Sequence, residues 1–168
     1  TRNGRISAVR GFARYMVRLG YKAYIYPPSA VKILRYSYVP YIFTEGEIRN
    51  IFASIDNYPV CDVSPHRHLV LKLLMRMLYG CGLRISEALN LRRADVDLEN
   101  GILFIRDAKF GKERLVPMAE TLTERCRQYS CEVHTSDYFF PSPHGGRYKE
   151  STIYQLFRDL LWKAGIPH

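Results

Sequence analysis

The stretch VDLENGILFIRDAKFGKERLVP, residues 96 to 117, has a different hydrophobic period from the chain on either side of it. Its flanks repeat apolar residues at helical spacing, whereas here short apolar runs are broken by turn residues. Asn100-Gly101 is the strongest short-range signal for a tight hairpin, and Gly111 marks a second turn. Three short antiparallel strands are expected, about Val96 to Leu98, Ile102 to Arg106 and Arg114 to Val116. The chain should therefore be mainly α with a small three-stranded antiparallel sheet inserted, an α+β arrangement.

The helical stretches place that sheet. From residue 5 to 19, Ile6, Val9, Ala13, Met16 and Val17 form one stripe, beside a row of Arg10, Arg14 and Arg18 at i, i+4 spacing. Gly20 reads as the stop. Tyrosines, Pro27-Pro28 and Pro40 then suggest a linker around a weak segment from Ser29 to Arg35, with a domain boundary near residue 40. Thr44 with Glu47 spells a capping box before Ile48, Ile51, Phe52 and Ile55. Pro65 should open the next helix, whose Leu69, Leu73, Leu74 and Met77 face a core and which Gly80 and Gly82 end. A short helix follows from about Ile85 to Arg92, another from Ala119 to Cys131, and a last one from Ser151 to Ala164. "FFPSPHGGRY" reads as a loop by its Pro and Gly content.

Charge narrows the partner class. Lys plus Arg number 25 against 16 Asp plus Glu, a net +9, and 47% hydrophobic residues are enough for a real core. Residues 1 to 40 hold eight basic residues and no acid precedes Glu45, so nearly all the net charge gathers at one end, as expected of a polyanion binder. Four cysteines form no CxxC pair and no secretory signal opens the chain, which fits a reduced, cytoplasmic setting. Cys126, Cys131 and His134 could offer three metal ligands, but not at the spacing of a known zinc module; no metal and no cofactor is expected. The most apolar stretch, His68 to Leu83, is too short for a bilayer and carries Lys72 and Arg76, so no membrane role is expected.

Two stretches carry chemistry. In "GCGLRISEALNL", residues 80 to 91 taken with their flanks, Arg84 stands at a helix N-terminus, against the macrodipole. A phosphate bound there by the guanidinium and the helix N–H groups would remove the conflict. An Arg84–Glu87 i, i+3 pair, worth about 0.2 to 0.5 kcal/mol, would also account for it. The turn "RDAKFGKER" sets Lys109 and Lys112 around Phe110-Gly111, flanked by Arg106 and Arg114. That is either a rigid four-cation finger able to meet phosphates or an ordinary solvated turn.

Together these stretches resemble the catalytic domain of the tyrosine recombinases, the phage integrase family. The shared pattern is G-L-R-x-S-E-x-x-x-L, then D-x-D, a strand pair, and K-x-x-K-x-R-x-V-P. Looser likeness covers "VPYIFTEGEI", "FFPSPHGG" and "AGIPH", so that residues 41 to 168 look like the N-terminal half of that domain and residues 1 to 40 like the end of its DNA-clamping core-binding domain. The resemblance implies that Arg84 is the first phosphate-clamping arginine, that Glu87 supports it, and that Lys109 is the general acid toward the departing 5′ hydroxyl. It implies double-stranded DNA as partner, with Arg10, Arg14, Arg18, Arg106, Lys112 and Arg114 as contacts, together with other recombinase protomers. A nucleoid-associated protein of bacterial or phage origin is the matching setting.

The resemblance also implies a His-x-x-Arg box and a nucleophilic tyrosine, expected beyond His168 in a longer protein. His144-Gly145-Gly146-Arg147 has the letters of the box but two glycines in a Pro-rich loop cannot present them on a helix, and none of the 13 tyrosines stands in the nucleophile's context. The polypeptide is expected to bind DNA without cleaving it, and to expose part of its last helix, including Leu156, Leu160 and Trp162, favouring self-association or a swapped dimer. The alternative reading is a non-catalytic DNA-binding regulator in which residues 80 to 93 form a helix-turn-helix.

Overall fold

Thr44 opens the larger part of the structure as its sequence predicts. Its hydroxyl accepts from the Glu47 N–H at 3.3 Å, while the Glu47 carboxylate accepts from the Thr44 N–H at 2.8 Å, closing a reciprocal cap on helix α2 (Glu45–Asp56). The computed structural model describes residues 2–30, 40–108, 112–134 and 136–166, and it divides into two units, Thr1–Ile42 and Phe43–His168.

The first unit contains helix α1 (Arg2–Arg18), which Gly20 ends at φ +87°, a left-handed conformation that glycine adopts without a Cβ clash. Of the expected apolar stripe only Ala13 is buried; Val9 and Val17 are exposed. The only other regular element among the unit's described residues is a one-turn 3-10 segment, Pro28–Ala30, too small to cover the stripe of a 17-residue helix. Of the weak segment from Ser29 to Arg35, residues 31 onward lie outside the described residues.

In the second unit, α3 (Arg67–Cys81) is the central helix and buries Val70, Leu71, Leu73, Leu74 and Met77, with α2 and α5 (Glu120–Glu132) packed against it. Its start differs from expectation: Pro65 lies in a turn and His66 is the cap residue. Gly80 stays inside the helix, and Gly82, at φ +61°, makes the left-handed end. Arg76 ties α3 to α2 by donating one Nη2 to both oxygens of Asp56 at 2.8 Å while lying 5.2 Å over the Phe52 ring.

The sheet has the order β1-β2-β3, with β1 (Val96–Asp97), β2 (Ile102–Ala108) and β3 (Lys112–Pro117), all antiparallel. Its strands lie where the change of period put them, β2 and β3 each reaching further toward the second turn. Leu103 and Ile105 on β2 are buried, while Leu115, opposite Phe104, is exposed, so one face of the hairpin meets the helices and the other meets solvent. The register shifts between Ile105 and Ala108.

The segment after α5 keeps its loop character but starts with two buried rings. Phe139 and Phe140 pack around Tyr129, whose hydroxyl donates to the Phe139 carbonyl at 2.9 Å. Helix α6 (Glu150–Lys163) buries Ile153, Leu156, Leu160 and Leu161. The expected exposure of Leu156 and Leu160 is therefore not found. Trp162 alone of the three named positions is open, at 75%, because it lies about 200° around the helix from Leu160. Between α2, α3 and α6 runs an apolar groove of about 360 Å³ lined by Phe52, Ile55, Met75, Tyr79, Ile153 and Phe157 among others. Among the described residues no helix is long and apolar enough to cross a membrane.

Candidate nucleic-acid interface

Helix α4 (Ile85–Asn90) starts from the left-handed Gly82 and the buried Leu83, which leaves Arg84 as the cap residue with extended backbone. A guanidinium has only donors, so it cannot accept from the helix N–H groups as a serine or aspartate cap would. The bonding runs the other way. Glu87 Oε2 accepts from the Arg84 backbone N–H at 2.9 Å and Oε1 from Arg84 Nη1 at 2.7 Å. The i, i+3 pair that the sequence allows is thus present, yet it does not consume the arginine: the Arg84 side chain is 57% exposed, the Glu87 side chain 5%.

The sheet register supplies the other partner of Glu87. Arg114 on β3 pairs with Ile105 on β2, and directly opposed residues share a face, so Arg114 stands with buried Ile105 on the helix-facing side. From there Nη1 reaches Glu87 Oε1 at 3.0 Å and Nη2 reaches Oε2 at 2.8 Å, a two-pronged pair. These bonds, with those from Arg84 and against the opposing effect of burial, hold the Glu87 carboxyl down at about 2. The same bonds raise Arg114 above the usual guanidinium value. Glu87 is therefore an anion at any physiological pH, and it fixes two cations from distant parts of the chain.

A second buried carboxylate lies nearby. Asp95 accepts from the Arg92 backbone N–H at 3.0 Å and from Arg106 Nε at 2.6 Å, and the Arg106 guanidinium sits 4.7 Å over the Phe104 ring. The Arg92 guanidinium carbon lies over the Tyr138 ring, 3.9 Å from its centroid, and Nη2 donates to the hydroxyl at 3.2 Å. Arg147 donates to Asn90 Oδ1 at 2.7 Å. Glu87, Asn90, Arg92, Asp95, Arg106 and Tyr138 line one cleft of about 280 Å³.

The structure brings together Arg84, Glu87 and Arg114, and it places Arg106 on the same cleft as Glu87. Lys109, which follows β2 in the sequence, lies outside the described residues, as does the side chain of Lys112. Arg10, Arg14 and Arg18 belong to the first unit; Arg14 and Arg18 are exposed and Arg10 is half-buried. Sequence reasoning missed Asn90, Arg92 and Tyr138, and it weighed Arg147 only as part of a false box. Nothing local distinguishes Arg92 from Arg93, whose Nε instead bonds the Ser136 carbonyl at 3.1 Å. Cys126 is buried, its thiol pushed up to about 12 by that burial, with Sγ 3.8 Å from Met118 Sδ. Among the described residues no group of three His, Cys, Asp or Glu side chains could hold a metal ion.

The model of the phage integrase family matches residues 42–168. The chain belongs to that family. A Pyrococcus horikoshii protein named tyrosine recombinase XerA is 31% identical over 137 residues, which cover 77% of this chain and 44% of the relative. A Sinorhizobium fredii protein provisionally named integrase/recombinase y4rB is 33% identical over 174 residues, covering 96% and 54%. A crystal structure of XerA recombinase matches all of this chain and 57% of its own, at 26% identity and a TM-score of 0.64. A lambda integrase dimer bound to a core site shares the fold, with a TM-score of 0.71 at 16% identity over 97% of this chain and 57% of the other. The chain spans about half the length of the curated relatives it matches.

Proposed function

We propose that this chain is the phosphate-gripping part of a site-specific tyrosine recombinase, an enzyme that breaks and rejoins strands of duplex DNA. The observation that carries this reading is the Glu87 carboxylate. It takes one guanidinium prong and the backbone N–H of Arg84, while Arg114 braces it from the sheet, so Arg84 is aimed outward before any ligand arrives. A pre-aimed, half-exposed guanidinium stabilises charge building on a phosphate without reorganising. The Glu87 role is structural: a carboxyl held at about 2 has no proton to give.

In the reaction a tyrosine hydroxyl gives up its proton to solvent as its oxygen attacks the scissile phosphorus, forming a 3′-phosphotyrosyl bond while the P–O5′ bond breaks. Lys109 gives the proton that the departing 5′ oxygen needs, and Arg84 stabilises the non-bridging oxygens. No metal is required, because fixed cations carry the electrostatic work. None of the 13 tyrosines of the 168-residue polypeptide matches the nucleophile's context, so this polypeptide grips DNA and forms no covalent adduct with a nicked suicide substrate.

The first 40 residues are read as the end of the DNA-clamping domain, with Arg10, Arg14 and Arg18 on backbone phosphates. A cytoplasmic, nucleoid-associated location and assembly with further protomers belong to the same reading; the lambda integrase structures are described as a dimer on a core site and a tetramer on a Holliday junction. The helix-turn-helix alternative loses support because α4 has six residues, of which Glu87, Ala88 and Leu89 are buried and Asn90 alone is exposed, too little surface to read a groove.

Salt-dependent duplex binding tests the reading. Arg84→Ala should lower the slope of log K against log salt by about 1, with the fold unchanged by circular dichroism. An unchanged slope would remove Arg84 from the phosphate contacts and with it the central claim.

A further inference from the structure

The cleft beside Arg84 holds two buried carboxylates, each already matched by a guanidinium, and its rim is cationic. Glu87 and Asp95 both have side chains 5% exposed, and neither offers its charge to solvent. Arg92 lines the cleft and Arg147 bonds Asn90, which also lines it; both are exposed, and among the described residues neither guanidinium has a carboxylate partner. Each is instead oriented by a neutral group. Tyr138 holds the Arg92 guanidinium over its ring and by its hydroxyl, and Asn90 anchors one nitrogen of Arg147.

Neutral orientation matters chemically. An arginine matched to a carboxylate, as Arg84 is to Glu87, shares its charge with that partner, whereas one held by a ring and an amide keeps its full charge and loses much of its side-chain freedom before binding. Asn90 lies one helical turn from Glu87 on α4, and Arg92 comes two residues after Asn90, so the same short element that aims Arg84 also sets the position of this rim.

We propose that Arg92 and Arg147, with Tyr138 and Asn90 holding them, form a second phosphodiester site for duplex DNA, separate from the Arg84 grip. Its ligand is a backbone phosphate flanking the one at Arg84, bound without regard to base identity. The site therefore adds affinity and register, and no sequence preference. The proposal rests on the recombinase reading of the Arg84 site and extends it.

The test uses the 168-residue chain, a random-sequence duplex and a salt series, comparing Arg84→Ala, Arg92→Ala, Arg147→Ala and the Arg92→Ala/Arg147→Ala double variant. Each arginine that contacts a phosphate accounts for about 0.9 of the salt slope, so the double variant should lose about 2 and weaken all duplexes alike. Arg92→Lys, which keeps the charge and loses the guanidinium's contact with the ring, should recover most of the slope. Thermal melts of each variant identify any loss that comes from unfolding, and in that event Arg92→Lys, which keeps the charge, and Tyr138→Phe, which keeps the ring, decide by the same slope. Ethylation interference on a fixed duplex gives a second readout: the double variant should lose protection at phosphates that Arg84→Ala leaves protected.

If Arg84→Ala lowers the slope and the double variant does not, this second site is wrong and the Arg84 reading stands. If neither lowers it, or the wild type shows no salt-dependent duplex binding, both fail. Preference for single-stranded RNA over duplex DNA in competition would likewise overturn the assignment.

Discussion

Glu87 and Asp95 are built on one local plan. Each is a buried carboxylate that accepts from the backbone N–H of the arginine three residues before it, and each pairs with an arginine side chain that is 57% exposed. They differ in one respect. Glu87 receives a further two-pronged guanidinium from Arg114, across 27 residues of chain, whereas Asp95 is bonded by the side chain of Arg106, 11 residues along. The repeated plan is a way to start a short helical turn with an arginine in the cap position. The added brace turns one copy into a junction that locks α4, β3 and an exposed guanidinium together, and this is the copy that lies at the proposed reaction centre.

If the brace is what separates them, removing the two carboxylates should have unequal effects. Glu87→Ala should destabilise the chain by about 3 kcal/mol, since it strands two guanidiniums, one of them facing the core side of the sheet. Asp95→Ala should cost about 1 to 2 kcal/mol, the scale of hydrogen bonds to a charged group. Equal losses in urea unfolding would break the comparison.

Acid should separate them next. The Glu87 carboxyl is held down at about 2 from an unfolded value near 4.5, so its contribution is complete above about pH 4.5 and disappears as pH falls toward 2. On the order of 2 kcal/mol should be lost across that window in the wild type and in Asp95→Asn, and should be missing from Glu87→Gln. An acid profile unaltered by Glu87→Gln would show that the brace does not perturb this carboxyl.

The guanidiniums give the smallest effects. Arg114→Met should cost about 1 kcal/mol and move the Glu87 titration, followed by carboxyl NMR, toward the ordinary range. Arg106→Met, at a side chain more exposed than that of Arg114, should cost less than about 1 kcal/mol. A larger loss from Arg106 would invert the ranking and make Asp95 the stronger junction.

How much of this the sequence showed depends on the range of the interaction. Thr44 with Glu47, Asn100-Gly101 and the helical stripes of α3 and α6 act over a few residues, and the structure has them where the spacing put them. The family pattern located Arg84 and Glu87, and their i, i+3 bond is local as well. Arg114 was visible as a cation near a turn, but its partner follows from strand register, and a slip of one residue would turn it to the opposite face. The Arg92–Tyr138 stack joins residues 46 apart through an isolated bridge, for which no periodicity exists to read. Apolar stripes also overstate burial when no second layer covers them: α1 buries Ala13 alone of its stripe.

Gly82 carries a consequence for how Arg84 could be disabled. No atom lies within 4 Å of where a Cβ would stand on it, so steric room is not the obstacle there; handedness is, because φ is +61°. An L-alanine in that place would fit the space and still cost about 1 kcal/mol, a strain most readily relieved by rotating the peptides that lead into Arg84. A D-alanine introduced by chemical synthesis would meet neither penalty. The pair of mirror-image substitutions thus offers a way to spoil or preserve the direction of one guanidinium two residues downstream without touching its charge, its carboxylate or the core.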